Sequence, residues 1–175
     1  MDAVQDHLDV PRVFFPVLGE HYDVIQVDHR SAAEVLLEDA VHQALDTTEL
    51  SKTLSTAPRF RSLATGEPVI VNSEAPDRVT FLQRPDLGRR LLESDYQRLH
   101  SIAGQTDHTF DMAILISGGL SAAATQVHAV PFLESFASLV ADSGLELKVA
   151  PLAIASQARV ALGDDVGESL GARMV

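Results

Sequence analysis

The sequence predicts an α/β fold built on a parallel sheet, and three stretches carry that prediction. "MAILIS" (112–117) is a near-continuous apolar run closed by Gly118 and Gly119, the pattern of a strand buried on both faces. Residues 121–142 read as a helix, and Gly144 stands where a helix stop is expected. "LELKVAPLAIA" (145–155) then supplies a second strand and "DDVGESLGA" (164–172) a short second helix. Strand, helix, strand, helix in this order requires right-handed crossovers and parallel pairing.

The remaining elements are weaker. Residues 1–22 have no clean period and contain Pro11 and Pro16. With a short strand at "DVIQV" (23–27), they form an N-terminal arm over 1–27. Ser31 followed by Glu34 is a capping-box pattern, and Leu37, Ala40, Val41, Ala44 and Leu45 recur at helical spacing, which predicts a helix over 31–46. Residues 47–67 are rich in Ser, Thr and Pro without a period and read as loop. A strand at "PVIVN" (68–72) and a turn at 73–77 follow. "RVTFLQ" (78–83) alternates like a strand. Pro85 suits the first turn of a helix whose apolar stripe is Leu91, Leu92, Tyr96 and Leu99. Pro131 predicts a break or restart in the helix over 121–142. The chain thus divides into the arm 1–27, a helical and loop-rich region 28–103, and an α/β region 104–175.

Composition excludes several function classes. Apolar residues make up 46% and charged residues 22%, which is the mixture of a folding sequence rather than of disorder. Thirteen basic against 25 acidic side chains give a net charge of -12, which argues against nucleic acid or an anionic membrane as the partner. Residues 1–50 hold only Arg12 and Arg30 against eleven acids, so most arginines lie later. The absence of cysteine removes disulfides, thiolate metal sites and thiol nucleophiles. The N-terminus carries acids where a secretion signal needs basic residues, and no apolar run approaches the ~18 residues of a membrane span. These features predict a cytoplasmic, soluble chain.

Candidate chemistry is sparse. None of the seven histidines sits at a metal-ligand spacing, which leaves them as surface or capping residues, and the chain has no predicted metal ligand or catalytic residue. "SGGLS" at the end of a strand aims backbone N–H groups at a ligand or simply makes a tight turn. It is neither of the usual nucleotide-phosphate motifs, and Ser121 lacks the context of a nucleophile. "FLQRPDLGRRL" (81–91) places Arg84, Arg89 and Arg90 in an apolar frame. It reads either as a fixed corner with solvated arginines or as a docking surface for partner carboxylates or amides.

Four stretches, "VDHRSAAEVLLEDAV", "LQRPDLGRRL", "AILISGGLSAAA" and "ARVALGDDVGESLGAR", together resemble the light (small) subunit of ethanolamine ammonia-lyase. The resemblance runs from about Asp28 to Val175 and is poor over 47–77. It implies a Rossmann-like parallel sheet preceded by a helical region, and a subunit of a lyase that converts ethanolamine to acetaldehyde and ammonia using adenosylcobalamin, a cobalt-containing vitamin B12 cofactor. It further implies a hetero-oligomer with a heavy subunit that carries the substrate site, in the cytoplasm with or without a bacterial microcompartment around it. The light subunit of that family helps to bind the cofactor, and the contact residue that carries over is Val160, with Arg159 ordering the turn beside it. The corner's arginines then become candidates for the heavy-subunit interface.

The sequence departs from that family's pattern at three places. Gly118 stands where the family has Asp, Ala158 stands where it has Gly, and the family's later glutamate and cysteine contacts to the cofactor fall beyond Val175. The sheet is therefore expected to be incomplete at its C-terminal side and prone to association, whether the chain is a fragment or a shortened gene product. A non-catalytic paralogue that docks on a heavy subunit is the alternative reading.

Overall fold

In a computed structural model the described residues are 44–119 and 121–175. They form a three-stranded sheet with helices on both faces. In chain order the elements are α1 (Thr47–Thr56), α2 (Pro58–Leu63), β1 (Val69–Val71), α3 (Arg78–Gln83), a single 3-10 turn (Leu87–Arg89), α4 (Glu93–Ala103), β2 (Leu115–Ser117), α5 (Ala122–Ser143), β3 (Ala153–Ala155) and α6 (Leu162–Leu170). The strand order is β1-β3-β2 and every pairing is parallel, with Ile154 aligned to both Ile70 and Ile116. The parallel α/β class read from the apolar runs therefore holds, and "PVIVN" supplies a third strand beside the two expected after residue 111.

The side chains of β3 alternate between two cores, as a strand covered on both faces requires. Ala153 and Ala155 face a cluster with Leu91, Leu99, Leu162, Val166 and Leu170 under α4 and α6. Ile154 faces the opposite cluster, with Leu50, Leu54, Phe60 and Leu133 under α1, α2 and α5.

Four local expectations are corrected. Of the loop expected over 47–67, residues 47–63 are two helices. Asp46 caps α1 by accepting from the Glu49 amide at 2.8 Å, Leu50 and Leu54 bury one stripe, and Pro58 opens α2. Thr53 and Ser55 donate to carbonyls four residues back, at 3.0 and 2.8 Å, so their polarity is absorbed by the helix itself. "RVTFLQ" is helix rather than strand, because Asp77 accepts from the Thr80 amide at 2.8 Å and sets a helical start. The alternation there was misleading: Phe81 is buried while Val79, on the same face of a would-be strand, is largely exposed.

Pro85 does not open a helix. The chain makes the single 3-10 turn at 87–89, and α4 begins at Glu93, burying Leu99 from the expected stripe. Pro131 does not break α5, which runs unbroken for 22 residues. The carbonyl that proline leaves without a partner belongs to Val127, and both residues are on the exposed side, where solvent satisfies it. Gly144 ends α5 in the left-handed region at φ 70°, as its position suggested.

The strands are shorter than the apolar runs, with Val149 bridging both Ala64 and Met112 upstream of β3. The arm over 1–27 and most of the helix expected at 31–46 lie outside the described residues, and Ala44–Asp46 are not helical. No helix among the described residues is long and apolar enough to cross a membrane.

Candidate functional site

In an open parallel sheet, ligands gather beyond the C-terminal ends of the strands, where loops fan out. Here β2 runs into Gly118 and Gly119 and β3 into the Ser156–Ala161 loop, and the two segments are laced together. The Gly118 amide donates to the Ala155 carbonyl at 3.1 Å, and the Ser117 hydroxyl donates to the Ala158 carbonyl at 3.1 Å. The approach is so close at Gly118 that a Cβ there would sit 2.4 Å from the Ser156 carbonyl oxygen. Glycine is therefore the residue this loop arrangement admits. Gly119 is different: its φ of +36° favours glycine, and a Cβ there would make only ordinary contact with the Ala158 carbonyl and the Ser117 hydroxyl at 3.8 Å.

A cleft of about 760 Å³ lies along these loops and the outer edge of β2, with Gly118, Gly119, Thr125, Ala158, Val160 and Asp164 among the residues lining it. Val160, one of the residues lining it, has 97% of its surface exposed, the most of the exposed large hydrophobic residues among those described. Ala158 is buried and tied through its carbonyl to Ser117. Ser121 caps α5 by accepting from the Ala124 amide at 3.3 Å, which accounts for that hydroxyl structurally.

The basic corner has two parts. Arg84 is neutralised within it by Asp86, through a fork of hydrogen bonds at 3.0 and 2.6 Å that holds the Asp86 carboxyl down to about 2. Arg89 and Arg90 are exposed. Gly88 just before them is buried, and its carbonyl accepts from the Arg159 amide at 2.8 Å, so the corner buttresses the loop that carries Val160.

Two residues that sequence reasoning passed over complete the support. Phe81 is buried with the Arg159 guanidinium 4.5 Å and the Arg78 guanidinium 5.2 Å from its ring centroid. Arg78 also donates to the Gly119 carbonyl at 2.6 Å, while Arg159 reaches the Phe81 carbonyl at 3.4 Å. Burial, followed by the charge of Arg159, lowers the pKa of Arg78. An aspartate followed by an arginine at the start of a short helix carries no sequence mark of such a role.

No group of three or more His, Asp or Glu that could hold a metal ion occurs among the described residues. His108 is taken up by Asp107 at 3.0 Å and by an edge contact to Phe110.

The sequence profile of a family described as "Ethanolamine ammonia-lyase light chain (EutC)" matches residues 12–175, nearly the whole chain. The chain belongs to the ethanolamine ammonia-lyase light-chain family. Curated relatives agree. A protein of Pseudomonas syringae pv. tomato named "Ethanolamine ammonia-lyase small subunit" is 40% identical over 144 residues, covering 82% of this chain and 47% of the relative. Proteins of the same name from Pseudomonas putida (strain W619) and Pseudomonas aeruginosa (strain LESB58) are 41% and 39% identical over 142 residues, 81% of this chain and 49% of each relative. This light-chain family member thus spans about half the length of the curated relatives it matches.

Proposed function

We propose that this chain acts as a light subunit of an adenosylcobalamin-dependent ethanolamine ammonia-lyase, lining one side of the cofactor at the junction with a heavy subunit. The observation that carries the reading is Val160, exposed in the lining of a cleft beyond the ends of parallel strands. A cleft lined by an exposed aliphatic residue and the Gly119 backbone suits a large, flat, mostly apolar ligand. The parallel β-α-β order with a cleft at the strand ends also supports the Rossmann-like reading. A cytoplasmic location, with or without a microcompartment, belongs to the same proposal.

The fit between site and cofactor is judged on the chain's own residues. Val160 and the Gly119 backbone would contact the corrin, and Arg78 and Arg159 would hold those contacts in place. Gly118 and Ala158 bring no polar side chain of their own, so Thr125 and Asp164 are among the cleft's polar side chains that its amide groups would meet. When bound, the cofactor supplies a radical by homolysis of its cobalt–carbon bond. This chain's share is binding and orientation, together with excluding water from its side of the site.

The test is co-expression with the large subunit of a Pseudomonas ethanolamine ammonia-lyase, followed by titration of the purified complex with adenosylcobalamin and visible absorbance. Replacing Val160→Asp should leave co-purification intact and weaken corrin binding by roughly tenfold or more, since a carboxylate would lose its hydration against an apolar ligand. Equal corrin binding by the variant, or none by the wild-type complex, would refute the reading.

A further inference from the structure

Arg78, Phe81 and Arg159 come from two distant parts of the chain and meet where the two cleft loops need to be held. Arg78 fixes the Gly119 turn by donating to its carbonyl at 2.6 Å. Arg159 lies one residue before Val160, its amide tied to Gly88 at 2.8 Å. Phe81 joins the two, with both guanidiniums over its fully buried ring. The arrangement is not what apolar packing alone would choose. Two like charges repel, which is the second cause, after burial, of the lowered Arg78 pKa, and the negative face of the ring attracts both cations. Gly88 completes the fit, because a Cβ there would come within 2.8 Å of the Phe81 ring and 3.3 Å of the Arg159 side chain.

We infer that Phe81 is a positioning residue. By attracting Arg78 and Arg159 it sets the spacing between the Gly119 turn and the Arg159–Val160 loop, and so the way Val160 is presented to a ligand. The ligand's identity rests on the reading of the cleft given above, whereas the holding of the loops does not.

The experiment is hydrogen–deuterium exchange with mass spectrometry on the 175-residue chain, comparing peptides covering 115–121 and 156–163 with peptides from α1 and α2 on the far side of the sheet. Phe81→Leu should speed exchange in both cleft loops by roughly fivefold to thirtyfold, the range of a lost cation–π contact, and leave α1 and α2 at the wild-type rate. Arg159→Met, which keeps the stem and removes the cation, should do the same at 156–163. Arg159→Lys, which restores a cation near the ring, should return exchange toward wild type.

If Phe81→Leu does not fold, the Arg159 pair decides the matter alone. Unchanged loop exchange in Arg159→Met, equal acceleration everywhere, or no rescue by lysine overturns the inference. The same variants in the large-subunit complex, titrated with adenosylcobalamin, separate the two claims. Loop exchange that follows this pattern in a complex that takes up no corrin would support the positioning role while refuting the cofactor reading.

Discussion

Gly88→Ala is a single methyl group added where three elements converge. The new Cβ would lie 2.8 Å from two carbons of the Phe81 ring and 3.3 Å from the Arg159 side chain. Neither can yield freely: the ring is fully buried, and the Arg159 backbone is pinned to the Gly88 carbonyl itself. Gly88 is not in the left-handed region, so the substitution carries no backbone strain and its effect is purely steric. Overpacking of this kind costs about 1–3 kcal/mol. For a chain of this size, at roughly 2–4 °C per kcal/mol, that corresponds to a fall in Tm between about 2 and 12 °C.

The assay is urea unfolding followed by circular dichroism, with a thermal melt beside it. Gly104→Ala is the matched control: its φ is -66° and the nearest atoms to the new Cβ are 3.6 and 3.7 Å away. Reduced freedom of the unfolded chain should make that variant neutral or more stable by up to about 1 kcal/mol. A Gly88→Ala protein as stable as Gly104→Ala would refute the close packing of Gly88 against Phe81 and Arg159.

The Asp86 carboxyl should titrate near 2 by NMR, held there first by its hydrogen bonds from Arg84. Because its folded pKa lies below the ordinary 3.8, the pair contributes stability above about pH 4 that is lost as pH falls toward 2, and Asp86→Asn should flatten that limb of the pH–stability curve. A titration midpoint at the ordinary carboxylate value would show that the fork does not persist in solution. Charge reversal of the exposed pair, Arg89→Glu with Arg90→Glu, should reduce co-purification with a heavy subunit while leaving the circular dichroism of the chain unchanged. Undiminished complex formation would mean that the corner serves only as scaffold.

The sequence by itself determined the α/β class, the parallel pairing, the cap at Gly144 and the family. Each of these is written locally, in an apolar run long enough to be buried on both faces, a glycine at a helix end, or a string of residues in one order. It named Val160 as a cofactor contact through resemblance alone. What the tertiary structure decided is that this residue lines the cleft exposed, since that depends on how two loops from different strands meet.

The same limit explains the misread elements. "RVTFLQ" alternates like a strand, and only the cap from Asp77, together with a pocket for Phe81 under Gly88, makes it a helix. Residues 47–63 look like loop until the sheet offers Leu50, Leu54 and Phe60 a face to bury against. The partnership of Arg78 and Phe81 with Arg159 spans about half the chain, and no periodicity or spacing encodes a contact between residues so far apart. Hydrophobic burial and short-range hydrogen bonds act along neighbouring residues and leave marks in sequence, whereas the meeting of distant side chains around a ring is fixed only when the chain has folded.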